Sequence, residues 1–374
     1  MAKRFIISIV HMLYRGIFRP FLFLFHSEFV HERALAAGAI LGASRVTSNA
    51  IRGLLAISHP SLTQKITGIH FENPIGLAAG FDYDARLPHM LPALGFGFGT
   101  VGTITNKLYE GNPPPRLGRL VKSQSLLVNK GFKNAGIKTI LERCAKEQFE
   151  IPIGLSIGKT NSPEIVSQKG AIADILEAFR AAESSPAPFS HYELNISCPN
   201  LSGNVEFYTP EHLRDLLTTV TALKLKKPLF IKMPIEKEER EVEAMLDVIT
   251  THPVQGIIIG NVARNRSNPA LDPEEVKHCT AGNFSGKPTQ KSSDELIRFA
   301  YRKCGTKLTI IGCGGVFSAE DAYRKIRLGA SLIQLITGLI FEGPQLPTEI
   351  NLVLMRLLER DGFQNLTEAI GKNV

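Results

Sequence analysis

From about residue 71 onward the sequence alternates short apolar runs with helix-like stretches, and this alternation constrains the fold more than any other feature. The apolar runs, read as strands, fall at 75–79, 98–104, 151–157, 191–196, 229–233, 256–260, 308–312 and 332–336. Helix-like stretches lie between most of them, at 172–182, 210–225, 237–251, 293–303 and 318–328. Eight strands alternating with helices over about 270 residues is the count of a (β/α)8 TIM barrel, an α/β fold. An open doubly wound sheet is the competing arrangement. The chain of 374 residues accommodates such a barrel, assigned to 71–374, and an N-terminal helical segment, 1–70.

A barrel collects its chemistry at the C-terminal ends of its strands. Polar or glycine-rich residues stand at each of these ends. Ala78-Ala79-Gly80 ends the first, Gly102-Thr103 the second, Ser156-Ile157-Gly158 the third and Asn195 to Asn200 the fourth. Lys232 ends the fifth, Asn261 the sixth, Gly312 to Gly315 the seventh and Thr337-Gly338 the eighth. Connections that carry function tend to be long, and the long ones here are 106–136 and 262–290.

Asn195-Ile196-Ser197-Cys198-Pro199-Asn200 is the most informative of these groups. A carboxamide offers a donor and an acceptor, so Asn195 and Asn200 suit a small ring rich in amide and carboxylate groups. Cys198 between them can take or give a proton. A quiet core thiol is the alternative, but the flanking polar residues and Pro199 favour a strand exit and a catalytic Cys198. Gly312-Cys313-Gly314-Gly315, followed by Thr337-Gly338, fits a phosphate site, because glycine lets backbone N–H groups approach an anion. Lys232 lies in the apolar run Leu229-Phe230-Ile231-Lys232-Met233-Pro234 and needs a partner. That partner is either the negative charge of a reduced flavin ring or a buried carboxylate.

The five cysteines, Cys144, Cys198, Cys279, Cys304 and Cys313, are scattered and form no CxxC pair. They predict no disulfide framework, no zinc site and a reducing compartment. Nothing indicates another metal, an iron–sulfur cluster or NAD. The net charge of +8 does not point to nucleic acid: half of the excess is Lys3, Arg4, Arg15 and Arg19, in a leader that has no acid before Glu28. That leader has two apolar pieces, 5–14, broken by His11, and 21–25, which follows Arg15, Arg19 and Pro20. Neither reaches the roughly eighteen residues that span a bilayer. Bulky, basic residues follow the first piece where a cleaved signal peptide has small ones. Short apolar segments interleaved with arginine predict helices lying in the interface of an anionic membrane, with packing on the rest of the protein as the alternative.

Several motifs in combination resemble the dihydroorotate dehydrogenase family, in its membrane-associated, quinone-using branch. They are Asn73-Pro74-Ile75-Gly76-Leu77-Ala78-Ala79-Gly80, Gly111-Asn112 with Pro115-Arg116, Asn195 to Asn200, and Phe284-Ser285-Gly286-Lys287-Pro288. Ile311-Gly312-Cys313-Gly314-Gly315, Gly329-Ala330-Ser331 and Phe341-Glu342-Gly343-Pro344 complete the set, so the resemblance runs from about His31 to Pro344. It implies an FMN-containing barrel that oxidises dihydroorotate to orotate in pyrimidine synthesis, bound peripherally to the inner membrane of a bacterium or mitochondrion. By motif match Ala78, Ala79, Gly80, Thr103, Asn195, Lys232, Ser285, Gly286, Gly314, Gly315, Thr337 and Gly338 would hold FMN, with Ser156 at a flavin-facing position. Asn195, Asn200 and Asn261 would hold the substrate ring, with Asn129 as a fourth. Cys198 stands at the base position, where it would remove the C5 proton while C6 delivers hydride to flavin N5. His31 and Arg119 match positions that line the entry of a quinone beneath the N-terminal helices.

The chain departs from this pattern around the substrate. Cys198 replaces the serine usual in the membrane branch, and Tyr83 stands where a lysine faces the orotate carboxylate. Val128 takes the place of a substrate-binding asparagine, leaving Asn129 one position late, and Lys130 or Lys133 is available to supply the missing charge. Val262 replaces a hydroxyl residue, Ser156 an asparagine and Ile336 a tyrosine. A flavin oxidoreductase of the same fold acting on a related ring is therefore the competing functional reading, and a flavin-binding membrane protein without activity a more distant one.

Overall fold

Strands that are apolar on both faces must be covered on both, and a parallel order with helical crossovers achieves this. In the computed structural model, which describes residues 2–201 and 205–374, the eight runs close into one parallel barrel. Its strands are Ile75–Leu77, Phe98–Ile104, Ile153–Ile157, His191–Asn195, Leu229–Met233, Gly256–Ile259, Thr309–Cys313 and Leu332–Leu335. Each pairs with the next in chain order, and the eighth returns to the first through Ile333↔Ile75 and Leu335↔Leu77. The expected run 308–312 lies one residue later than predicted, so Cys313 ends the seventh strand instead of sitting wholly within the glycine loop.

The crossover helices bury the stripe that faces the barrel. The stretch expected at 172–182 is the longer helix Gln168–Ser184, whose Ile175, Ala178 and Phe179 are buried. Helices Ile137–Cys144 and Leu346–Arg360 are additional to the stretches read from sequence. Below the barrel a hairpin, Gln64–Ile66 with Ile69–Phe71, inserts Phe71 edge-on to Phe98 at 5.5 Å. Phe230, Ile258, Ile311 and Leu332 complete this floor, so residues on both sides of position 70 pack with the barrel.

The two long connections are not bare loops. They contribute Leu117–Leu120, Ser125–Val128 and Asn283–Phe284 to a three-stranded antiparallel sheet over the mouth of the barrel, with Ser125–Val128 in the middle.

The leader also differs from the expectation. Its two apolar pieces join into one helical run, Ala2–Leu13, a π-helical turn Tyr14–Phe18, and Arg19–Phe23. By length and composition Lys3–Phe23 is sufficient to cross a membrane. Arg15 and Arg19, which break the apolar pattern in sequence, do not break the helix because the barrel gives them partners. Arg15 lies 3.5 Å from Glu342, and Arg19 donates to the Phe341 carbonyl at 3.2 Å. The wide turn before Pro20 relieves the clash that a proline ring makes with the preceding turn. Tyr14 donates to the Ile340 carbonyl at 2.7 Å, and His11 lies 3.0 Å from Glu349. Helices Ser27–Ala43 and Arg45–Leu55 follow. Thirteen of the seventeen exposed large apolar side chains among the described residues lie before residue 56, so one side of this segment packs on the barrel and the other is left apolar.

Phe179 is fully buried, and its ring meets Tyr192 edge-on at 5.4 Å. Phe179→Ala is expected to lower unfolding stability by about 3–5 kcal/mol, measured by urea denaturation; a loss below about 1 kcal/mol would show that the helix–barrel interface closes over the cavity.

Candidate active site

The fourth strand delivers Asn195 to the mouth, where its Nδ2 donates to Thr103 Oγ1 at 2.7 Å. Thr103 in turn shares a 2.9 Å hydrogen bond with Ser156 Oγ, so Ser156 sits behind Thr103 and lines none of the cavities described below. Ser197 links two of the expected substrate carboxamides. Its hydroxyl donates to Asn195 Oδ1 at 3.2 Å and accepts from Asn261 Nδ2 at 2.6 Å. Sequence reasoning passed over Ser197, although it lies inside the most informative motif, because nothing along the chain marks its neighbour as Asn261.

Cys198, Asn195, Asn200, Asn261 and Lys232 line one cavity of about 160 Å³. Burial pushes the Cys198 thiol up to about 11, opposed by the Asn200 N–H and the positive charges of Lys232 and Arg264. Asn200 is held on both sides, donating to the Val128 carbonyl at 3.1 Å and accepting from Asn283 Nδ2 at 2.5 Å. Asn129 is not brought to this cavity. Its Oδ1 accepts from Asn112 at 3.0 Å, and Val128 lines the wall instead. Val262, Tyr83 and Ile336, the other departures from the family pattern, line the same cavity.

A second, smaller cavity of about 90 Å³ is bounded by Gly286, Gly314, Gly315, Gly338, Ser285 and Thr337. Ala79, Lys232, Asn261, Ser285, Ile336 and Thr337 line both, so the two are contiguous. Ala78 belongs to the second and Gly80 to the first. The lining of the second suits the phosphate of a flavin nucleotide: glycine backbone, hydroxyls and one ammonium, with no carboxylate. A side chain at Gly314 would distort this cradle, since its φ is +110° and a Cβ there would lie 2.8 Å from Oγ1 of Thr289, one of the lining residues. Lys232 is buried at the junction. Among the described residues no carboxylate lies within salt-bridge distance of it, but the buried carboxylate of Glu193 is near enough for the Lys232 charge to help hold its pKa down, so both partners read from the sequence, a buried carboxylate and a flavin ring, stay open to Lys232.

A third cavity, about 320 Å³, lies between the N-terminal helices and the mouth sheet, and His31 and Arg119 both line it. Its other walls are mainly apolar, including Leu22, Phe23, Val30 and Met90. Arg119 Nη1 donates to the Leu22 carbonyl at 3.2 Å, and the guanidinium stacks 4.5 Å from the Phe23 ring centroid. Its buried Nη2 has no protein partner among the described residues. His31, Phe81, Leu117, Leu126 and Ile340 line both this cavity and that of Cys198, so the two share a wall.

A parallel barrel with an anion cradle, a thiol and oriented carboxamides at its C-terminal mouth has the layout of a (β/α)8 enzyme with a site for a phosphate-bearing cofactor. Residues 61–358 match the family model described as dihydroorotate dehydrogenase. The chain is 35% identical over 373 residues to the dihydroorotate dehydrogenase (quinone) of Thermobifida fusca, covering 97% of each chain. It is 36% identical over 360 residues to that of Gloeobacter violaceus, covering 96% of this chain and 98% of the relative. Among solved structures it resembles Eimeria tenella DHODH in complex with ferulenol, with a TM-score of 0.80 and 27% identity over 92% of this chain and 95% of that one. The chain belongs to the dihydroorotate dehydrogenase family, in its quinone-dependent branch.

Gly314→Val is expected to yield folded protein largely stripped of flavin, seen as a fall in the ratio of flavin to protein absorbance on purification. Full flavin content in that variant would place the phosphate elsewhere.

Proposed function

We propose that this chain oxidises dihydroorotate to orotate, with Cys198 as general base, FMN at the barrel mouth and a quinone as the electron acceptor. The observation that carries this reading is the joining of the Cys198 cavity, with its three carboxamides, to the glycine-lined anion cradle. Gly286, Gly314, Gly315 and Gly338 would hold the phosphate of FMN, and Thr103, Asn195 and Lys232 would hold the rest of it; when bound, it would supply a two-electron acceptor for the substrate hydride. Ala78, Ala79, Gly80, Ser285 and Thr337 complete its surroundings in this reading, and Ser156 acts through Thr103.

The residues of the chain do the rest. Cys198, as thiolate, removes the C5 proton. Asn195, Asn200 and Asn261 each retain donor or acceptor capacity beyond their internal hydrogen bonds, enough to fix a ring by its amide edges. Ser197 holds Asn195 and Asn261 in one orientation, so the clamp does not have to be ordered when substrate arrives. Lys232 offers a positive charge where electrons are gained. Asn129 drops out of the substrate set and serves the wall through Asn112.

The apolar third cavity supports a quinone entering under the N-terminal helices, with the spare Arg119 N–H for a quinone oxygen and neutral His31 in the shared wall. Burial and the nearby Lys130 lower His31 to about 3, against its hydrogen bond to the Phe81 carbonyl. The exposed apolar side of residues 2–55 supports peripheral attachment to a membrane, from which a lipid-soluble quinone reaches that cavity directly. One observation favours a related ring instead: Val128 and Val262 place apolar surface in the substrate wall.

Anaerobic addition of dihydroorotate is expected to bleach the flavin, and a ubiquinone analogue to restore it. Cys198→Ala should slow bleaching by about 100-fold or more with FMN retained; bleaching at the normal rate would remove Cys198 from the base position. The thiolate is the active form and the thiol is raised to about 11, so the bleaching rate should climb with pH across the neutral and mildly alkaline range. A rate that levels off below pH 8 would exclude that thiol as the titrating base. Orotate that leaves the flavin spectrum unchanged would favour the related ring. Deleting residues 1–27 should move the protein from the membrane to the soluble fraction while dihydroorotate still bleaches the flavin. Full-length protein that is soluble without detergent would refute the attachment.

A further inference from the structure

Dihydroorotate and orotate are carboxylates, and three ammonium groups line the cavity that holds Cys198: Lys130, Lys133 and Lys232. They are not equivalent. Lys232 also lines the glycine cradle, which places its charge on the flavin side. Lys133 is neutralised by helix Ser27–Ala43, with Glu32 at 3.2 Å and Glu28 at 3.8 Å.

Lys130 has no such partner. Its Nζ donates to His31 Nδ1 at 2.9 Å and lies 4.6 Å from the Tyr83 ring centroid, and the residue is 9% exposed. Among the described residues no carboxylate lies within salt-bridge distance of it. The acids of the neighbouring helix are engaged elsewhere: Glu28 with Arg116 at 3.2 Å, Glu32 with Arg86 at 3.5 Å and with the Tyr83 hydroxyl. His31 can only accept from Lys130, because its Nε2–H is committed to the Phe81 carbonyl at 2.9 Å. One of three ammonium donors is thus used and the π face of Tyr83 supports the charge, which leaves donors for a ligand in the cavity.

We propose that Lys130 binds the carboxylate of the substrate, with His31 and Tyr83 as the residues that position it. The proposal rests on the dihydroorotate reading above and assigns the anion-binding end of that site. It also couples binding to protonation. Burial lowers Lys130 to about 7, with Glu28 and Glu32 opposing and Lys133 and Arg116 reinforcing the shift. Tyr83, neutral His31 and, across the cavity, Cys198 and Lys232 are the other titratable groups that face this space. An entering carboxylate favours the charged form, so Lys130 takes up a proton on binding and affinity falls as pH rises above 7.

The test uses full-length, FMN-loaded protein in mild detergent, with orotate as probe and the flavin absorption change as the readout of binding. Lys130→Met is expected to raise the orotate Kd by about 10- to 100-fold with flavin content unchanged. Lys133→Met should change it by less than about threefold, as a pair already neutralised in the wall. For the unsubstituted protein Kd should rise severalfold between pH 6.5 and 8.5, a reading that depends on no variant folding. An unchanged Kd in Lys130→Met would overturn the assignment while leaving the dihydroorotate reading intact, and a Kd that is flat with pH would overturn the coupling to protonation. An unsubstituted, flavin-loaded protein that gives no response to orotate would instead overturn the reading itself, and this assignment with it.

Discussion

Barrel closure is the constraint on which everything else depends. When Leu332–Leu335 pairs with Ile75–Leu77, the last strand of the barrel is bound to its first, and the barrel has no open edge. The closing ladder continues past the strands, with Ala78 N–H donating to the Leu335 carbonyl at 3.3 Å. Ala78, Ala79 and Gly80 thereby come beside Thr337 and Gly338, residues more than 250 positions away, and the parallel order brings the other strand ends to the same mouth. A cavity lined from ten separate segments needs this closure before any side chain has a role.

Within that frame, polar side chains are held by one another. Ser197 ties Asn195 to Asn261, Thr103 ties Asn195 to Ser156, and Asn283 ties Asn200 to the mouth sheet. Buried polar groups are costly unless paired, so such chains of hydrogen bonds also hold the clamp in one arrangement. Lower in the barrel, Glu193 is held similarly: its Oε1 accepts from Thr100 at 2.7 Å and from Gln334 at 2.6 Å.

The N-terminal segment is part of the site as well as of the surface. Helix Ser27–Ala43 supplies His31, Glu28 and Glu32, which together decide which of two lysines from the loop after Ser125–Val128, Lys130 or Lys133, is left without a carboxylate partner. The same His31 stands in the wall between the Cys198 cavity and the apolar one. The Cys198 cavity and the apolar cavity are therefore built in part on a common helix.

The barrel and the residues at its mouth were legible along the chain because both depend on local pattern. Continuous apolar runs mark strands buried on two faces, and their C-terminal ends mark the mouth, so Cys198, the glycine loop and Lys232 were identifiable from position alone. Pairing across space was not. Whether Val128 or Asn129 meets the cavity is set by the register of Ser125–Val128 against Leu117–Leu120, and a shift of one residue turns a side chain to the opposite face. Arg15 and Arg19 looked like breaks in an apolar leader until Glu342 and the Phe341 carbonyl received them. The sequence by itself determined the barrel, the glycine loop and the thiol at the end of the fourth strand, because hydrophobic period and residue type are carried by neighbours along the chain. Only the tertiary structure decided that Ser197 links Asn195 to Asn261, that Asn129 turns to Asn112 and not to the cavity and that Lys130 has no carboxylate partner, because hydrogen bonding and charge neutralisation depend on which distant residues come within a few ångströms.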